Sequence, residues 1–113
     1  MEANLIKVRK ELLDNFLSKK HLNETDWEEL EGSVNLLHNN FACKLCRNFS
    51  MLSKDDVHII LLMRIGMKNV KIARLLHILP KSFGMRRYRL KMKMGVECKS
   101  LPKFIRGLFE SEK

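Results

Sequence analysis

Proline and strand-like alternation are both scarce in this chain, and their scarcity limits the fold. Proline occurs only at Pro80 and Pro102 among 113 residues, and no segment alternates apolar and polar residues as a strand does. The longest apolar run, VHIILLM, stops at Arg64 and is far shorter than a membrane-spanning helix. The opening residues, MEANLIKVRKELL, place charges among apolar residues, which is not the pattern of a signal peptide. We therefore expect an all-α cytoplasmic protein with no membrane partner.

Patterns for catalysis and for metal binding are also missing. No nucleophile is spaced with a base, and no glycine-rich loop is present to hold a phosphate. Cys43 and Cys46 have the spacing of half a zinc site, but no nearby residues complete it, so we interpret them as small buried residues. His58, inside the apolar run, is interpreted as a histidine of the core or its rim. The sequence predicts no enzyme activity, no cofactor, no metal and no small-molecule ligand.

Acidic residues are scarce in one half of the chain only. Residues 1–49 hold 7 basic and 8 acidic residues, whereas residues 50–113 hold 15 basic and 5 acidic ones. The net charge of +9 therefore arises entirely from the second half. Such an asymmetry favours a C-terminal half that binds a polyanion.

Apolar residues recur at helical spacing through nearly the whole chain. The predicted helices cover about 4–20, from Thr25 to about Phe41, from Ser53 to Ile65, from Asn69 to His77, from Pro80 to Gly95, and from Ser100 onward. Thr25 with Glu28 has the spacing of a capping box, and Ser53 with Asp56 repeats it. The Asn39–Asn40 pair predicts a break before FACKLCRNF, and Met63 and Met67 are expected to fill the core.

The segment KSFGMRRYRLKMKMGV, residues 81–96, holds six basic residues and no acid. Its spacing puts Phe83, Leu90 and Met94 on a face that packs against the core. The opposite face would be offered to a partner and consists of Lys81, Gly84, Met85, Tyr88 and Met92. The flanks, where phosphates would lie, carry Arg86, Arg87, Arg89, Lys91 and Lys93. Two short helices joined by a short turn, the second of them basic, indicate a helix-turn-helix that binds the DNA major groove.

Residues 52–96 resemble, without a gap, the LuxR/GerE-type effector domain of bacterial transcription regulators. The resemblance lies in Leu52, Ser53 and Asp56, in the turn from Gly66 to Asn69, in Ile72, Ala73, Leu76 and Ile78, in Ser82-Phe83, and in the ending from Lys93 to Val96. The segment SLPKFI resembles the last helix of that domain. The resemblance implies a four-helix helix-turn-helix domain over residues 50–113. The two helices predicted before it form an arm over residues 1–49.

Three positions depart from the pattern of that family. His77 replaces a glycine usual in the turn, and Leu79 replaces the serine that caps the recognition helix. Gly84 stands where the family commonly has a lysine that contacts bases. Gly84, Met85 and Tyr88 therefore lack the side chains that make bidentate contacts to bases.

The resemblance and the charge together imply a transcriptional regulator that binds double-stranded DNA. Ser82 could donate to a phosphate or stabilise the first turn, and Met85 and Tyr88 could contact base edges and thymine methyls or be partly buried. The expected DNA-binding residues are Lys68, Asn69, Arg74, Lys81, Ser82, Gly84, Met85, Arg87, Tyr88, Arg89 and Lys91.

Two further alternatives concern protein partners. The apolar faces of the arm, including Trp27, favour a homodimer through the N-terminal helices, although the same faces could instead fold back on the chain. The missing cap and Gly84 also allow a degenerate helix-turn-helix that serves as a protein-binding adaptor without specific DNA binding. Salt separates the two functions, because only DNA binding should weaken steeply as salt rises.

Overall fold

The computed structural model describes residues 22–109 together with Glu11, Asp14 and Ser18, and the described residues are all-α with no strand. Six helices follow one another over residues 22–109. They are α1 (Glu24–Leu37), α2 (Phe41–Asn48), α3 (Lys54–Arg64), α4 (Asn69–Leu75), α5 (Pro80–Met94) and α6 (Leu101–Gly107). The helix predicted over 4–20 lies outside the described residues, apart from those three.

The start of α1 differs from the predicted one. Asn23, not Thr25, caps the helix: its side chain accepts a hydrogen bond from the backbone N–H of Asp26 at 2.9 Å. The Asp26 carboxylate accepts in return from the Asn23 N–H at 3.0 Å. The predicted box of Thr25 and Glu28 was therefore wrong by two residues, because Asn23 and Asp26 offer the same reciprocal pairing earlier in the chain.

The predicted break between α1 and α2 is confirmed at the asparagine pair. Asn39 and Asn40 have φ of +54° and +59°, in the left-handed region that asparagine tolerates better than most residues. Asn40 gives α2 no side-chain cap, but the Asn35 side chain accepts from the N–H of Ala42 at 2.9 Å. The two helices are thereby held at a fixed corner.

A single core spans both sides of residue 49. Helices α1 and α2 both pack on α3, and α6 packs on α3 as well. The fully buried residues come from both halves and include Leu30, Val34, Phe41, Leu45, Ile60, Leu62, Met63, Ile72, Leu90 and Ile105. The apolar residues of α1 and α2 are thus largely covered within the chain, and Met63 and Met67 fill the core as expected.

Trp27 lies at the edge of this core and connects α1 to α3. Its ring stacks on His58, with the centroids 3.9 Å apart and the planes 4° from parallel. His58 is partly buried, and this burial lowers the pKa of its imidazole; Asp55 acts in the opposite direction and Lys54 in the same one. Its interpretation as a rim histidine is confirmed.

Helices α3 and α5 both end at a glycine in the same hydrogen-bonded turn, a Schellman motif. After α3, Gly66 has φ +94°, and the Met67 N–H donates to Leu62 O at 3.0 Å. After α5, Gly95 has φ +66°, and the Val96 N–H donates to Lys91 O at 3.2 Å. These two glycines occupy a conformation that strains other residues, which explains why the chain stops both helices there.

Candidate nucleic-acid interface

Helices α4 and α5 are joined by the four residues 76–79. The Ile78 N–H donates to Ala73 O at 2.8 Å, and the His77 N–H donates to Arg74 O at 3.2 Å. These bonds form another Schellman motif, and His77 holds its left-handed position with φ +58°. A histidine therefore occupies a position whose conformation favours glycine. This is the same position at which the sequence differs from the glycine of the family pattern.

Helix α5 begins without a side-chain cap. Its first residue is Pro80, and Leu79 precedes it as the N-cap with no side-chain hydrogen bond. Proline lacks an N–H, so one of the unpaired donors of the first turn is removed rather than satisfied. Leu79 is exposed, as are Lys81 and Ser82 beside it.

The three residues predicted to face inward on α5, namely Phe83, Leu90 and Met94, are all buried. The opposite face is open to solvent: Met85, Tyr88 and Met92 are each more than half exposed. Of the two alternatives for Met85 and Tyr88, these exposures favour a surface position over partly buried filler. Lys81 and Arg89 are exposed beside them.

One flank of α5 is already occupied by acidic side chains. The Lys93 ammonium donates to Asp56 Oδ2 at 2.6 Å, and the Arg86 guanidinium lies 3.6 Å from Asp56 Oδ1. Asp56 is almost fully buried and also accepts from the Ser53 N–H at 2.9 Å in the predicted capping box. Arg86 and Lys93, which were predicted on the flanks of α5, thus both pair with aspartates of α3.

Asp56 is held as a carboxylate by these contacts. Burial acts to raise the pKa of the Asp56 carboxyl, but the hydrogen bonds from Lys93 and Ser53 and the charge of Lys93 outweigh it, so the pKa is lowered. The ion pair between buried Asp56 and exposed Lys93 links α5 to α3.

The other flank of α5 borders an open groove of about 220 Å³. The groove lies between α5, the start of α4 and the start of α6. Its lining residues are Asn69, Gly84, Arg87, Tyr88, Lys91, Lys99, Ser100, Leu101 and Pro102. Five of the predicted DNA-binding residues are thus brought together here. Lys99 was missed; the only signal in the sequence was a lysine soon after the end of the basic helix.

Two residues that line this groove each have a buried polar atom without a hydrogen-bond partner. These atoms are Arg87 Nε, a donor, and Asn69 Oδ1, an acceptor. Arg87 also lies over the Phe83 ring, with its guanidinium carbon 5.5 Å from the ring centroid. Unpaired buried polar atoms are uncommon in folded proteins, and a site that awaits a polar ligand is one physical reason for them.

Two of the other predicted residues lie on or beside α4. Lys68 is the exposed N-cap residue of α4, and Arg74 is exposed near the end of the same helix. Both belong to the helix-turn-helix segment, but neither lines the groove beside α5.

Gly84 lies in the middle of α5 with an ordinary helical backbone. A Cβ added there would meet only Arg87 Nη2, at 3.6 Å, which is an ordinary contact. We therefore expect Gly84→Ala to raise the free energy of unfolding by about 1 kcal/mol, measured by urea denaturation. Gly95→Ala is the contrasting variant and should lower stability because of its φ of +66°. A loss of stability in Gly84→Ala would instead mean that Arg87 needs the bare backbone of Gly84.

The two cysteines of α2 are exposed, so their interpretation as buried residues was wrong. Partial burial, followed by the charges of Glu31 and Cys43, raises the pKa of the Cys46 thiol. Among the residues that the structure describes, no group of three or more potential metal ligands lies together. Nor is any helix in residues 22–109 long and apolar enough to cross a bilayer.

Comparison of the chain with protein-family models, with curated proteins and with solved structures finds no match. The geometry of α4, α5 and the groove is therefore the basis on which a function can be inferred.

Proposed function

We propose that this protein is a DNA-binding transcriptional regulator of the LuxR type that acts in the bacterial cytoplasm. In this proposal α4 and α5 form the helix-turn-helix, and α5 docks in the major groove of double-stranded DNA. The observation that carries the proposal is the outward face of α5, which has exposed basic residues and no acid from Lys81 to Val96. A major groove is wide enough for one helix and presents phosphates along both of its rims.

The path of the backbone supports this assignment. Four helices follow residue 50, and the turn between α4 and α5 has the length common in helix-turn-helix motifs. His77 takes up the left-handed conformation where the family pattern has glycine. Gly66 ends α3 and Gly95 ends α5, in agreement with the family pattern at both positions.

Two groups of side chains have distinct roles in the proposal. Lys81, Arg87, Arg89 and Lys91 bind phosphates, with Lys68 and Arg74 contributing from α4 and Ser82 from the first turn of α5. The groove with Asn69 and Lys99 receives a backbone phosphate, because Arg87, Lys91 and Lys99 place three positive charges along its lining. Gly84, Met85 and Tyr88 face the bases.

A homodimer remains part of the proposal, since two copies would place two recognition helices on one DNA. Helices α1 and α2 bury most of their apolar residues within the chain, so the dimer face would include Leu36, which is 85% exposed, and the apolar face predicted over 4–20. Light scattering coupled to size exclusion tests the dimer through its mass.

The test of DNA binding is a fluorescence-anisotropy titration with random duplex DNA at two salt concentrations. The wild-type protein should bind tightly and lose affinity as salt rises, because binding releases counterions. The double variant Arg87→Ala/Arg89→Ala should bind every sequence more weakly, and its salt slope should be shallower by about 2.

A charge-matched control separates local contacts from net charge. Arg47→Ala/Arg106→Ala removes two exposed cations from α2 and from the far end of α6. It should keep nearly the whole affinity and the full salt slope. Equal losses in both double variants would mean that binding follows net charge alone, and the docking of α5 would be wrong.

A protein-binding adaptor is the second candidate, and one observation favours it. Met85, Tyr88 and Met92 expose apolar surface on the face of α5 that has no partner within the chain. Absence of duplex binding at low salt, by a protein with a helical circular-dichroism spectrum, would exclude the groove-docking proposal and favour the adaptor.

A further inference from the structure

The outward face of α5 carries a narrow apolar stripe formed by Met85, Tyr88 and Met92. Their exposed fractions are 57%, 58% and 66%, and their spacing of three and four residues puts them in one line along the helix. Large apolar side chains in a contiguous exposed row usually mark a surface that binds something.

Charge on both sides of the stripe limits what this partner can be. Lys81 and Arg89 are exposed on or beside it, and Arg87 and Lys91 line the groove along its other edge. Arg86 and Lys93 pair with aspartates of α3. The other four cations, which are Lys81, Arg87, Arg89 and Lys91, have no acidic partner among the described ion pairs. An apolar protein surface would have to desolvate them, whereas duplex DNA offers phosphates to both rows. Charge complementarity therefore favours a groove of duplex DNA as the partner of the stripe.

The chemistry of the three side chains limits which base they can recognise. Methionine has no hydrogen-bond donor and only a weak acceptor, and tyrosine offers a single hydroxyl, so none can form the bidentate pairs that identify guanine or adenine. The major groove presents one apolar group, the C5-methyl of thymine. A polarizable, flexible thioether adapts well to a methyl group.

We propose, on the basis of the DNA-binding function above, that this stripe selects DNA by contact with pyrimidine C5-methyl groups, which are those of thymine in ordinary DNA. The protein would then prefer A·T-rich sequences without hydrogen-bonded readout of the bases. The protein would have this sequence preference although the exposed base-facing positions hold no arginine, asparagine or glutamine.

Four synthetic duplexes of one length test this proposal by anisotropy at one salt concentration. They are alternating dA-dT, the same sequence with deoxyuridine for thymidine, alternating dG-dC, and the same sequence with 5-methylcytosine. Deoxyuridine removes the methyl and keeps every hydrogen-bonding group, while 5-methylcytosine adds a methyl to the same groove. We expect binding to weaken about fourfold for each methyl group removed from beneath the stripe and to tighten about fourfold for each methyl group added there.

The variant Met85→Ala/Met92→Ala retains only Tyr88 of the stripe and should lose most of the preference for the methylated member of each pair. Both positions are exposed and alanine favours a helix, so the variant should keep its fold, as circular dichroism can verify. Met51→Ala is the matched control because Met51 is 74% exposed outside α5, and it should keep the preference for methyl groups.

Equal, salt-sensitive binding of the wild-type protein to all four duplexes would overturn the methyl readout and leave DNA binding intact. Failure to bind any of them at low salt would overturn the DNA-binding function and this inference with it.

Discussion

Replacing Arg64 by methionine is expected to lower the free energy of unfolding by about 3 kcal/mol, since several buried hydrogen-bond acceptors lose their donor. Arg64 lies at the end of α3 with only 6% of its surface exposed. Its Nη1 donates to the carbonyls of Ile105 and Arg106 at 2.8 Å and to that of Leu108 at 3.0 Å. These carbonyls close α6, where the helix dipole favours a positive charge.

The same guanidinium also connects α6 to the corner between α1 and α2. Its Nε donates to His38 Nδ1 at 3.1 Å, and its central carbon lies 4.5 Å from the centre of the Phe41 ring. Methionine retains most of the apolar stem but provides none of these donors. The loss should consequently affect the whole core rather than α6 alone.

Urea denaturation followed by Trp27 fluorescence measures the effect, since Trp27 is the single tryptophan of the chain. Arg106→Ala is the control, because the Arg106 side chain is exposed and only its carbonyl takes part. Arg64→Lys should be intermediate, since one ammonium cannot reproduce the forked geometry of arginine. Equal stability of Arg64→Met and Arg106→Ala would show that the carbonyls at the end of α6 have hydrogen-bond donors other than Arg64.

The sequence predicted α5 well because independent signals coincide there. Pro80 starts the helix, Gly95 ends it, and the spacing of Phe83, Leu90 and Met94 identifies its inward face. Each of these signals is local, so the conformation they favour does not depend on how the rest of the chain folds.

The roles of Arg64, Arg86 and Lys93 could not be predicted in the same way. Each is a basic residue on a helix, and the sequence does not reveal which distant group it meets. Arg64 meets carbonyls more than 40 residues away, and Lys93 meets an aspartate 37 residues before it. An arginine between Met63 and Ile65, both buried, was the one available hint that it had to be satisfied inside the fold.

The groove beside α5 required the same kind of long-range information. Asn69 and Lys91 come from segments assigned to DNA binding, but Lys99 follows the end of α5 and joins them only because α6 packs back on α3. The exposure of Cys43 and Cys46 also follows from packing, since α2 turns a different face to the core. The sequence thus indicated the candidate interface along the chain, while the packing decided which of its cations pair with acidic side chains.

Replacing Asp56 by asparagine is expected to lower the free energy of unfolding at pH 7 by about 2 kcal/mol, because Lys93 and Arg86 lose the buried charge that they pair with. The side chain of Asp56 is 4% exposed, and its contact with Lys93 is 2.6 Å long. Asparagine can still accept a hydrogen bond at the start of α3, so the capping contribution is partly kept. The double variant Asp56→Asn/Lys93→Met should recover part of the loss, since it also removes the unpaired cation.

The pH dependence gives this prediction a direction. The pKa of Asp56 is lower in the folded protein than its ordinary value of about 3.8. At neutral pH both the folded and the unfolded chain are ionised at this position, and the contribution of Asp56 to stability is fully present. As the pH falls below the ordinary value, Asp56 takes up a proton first in the unfolded chain. The contribution of Asp56 to stability therefore declines progressively and is gone once the pH is below the folded pKa. The difference in stability between the wild-type protein and Asp56→Asn should therefore shrink in acid.

Urea denaturation at a series of pH values from neutral to strongly acidic measures this difference directly. Asp55→Asn is the matched control: Asp55 is the next residue on α3, its side chain is 78% exposed, and it lies 4.0 Å from the same Arg86. An exposed pair of this kind contributes little, so Asp55→Asn should leave stability nearly unchanged at every pH. A constant difference for Asp56→Asn across the series would mean that its charge does not hold α5 to α3. The outward face of the basic helix would then be set by apolar packing alone.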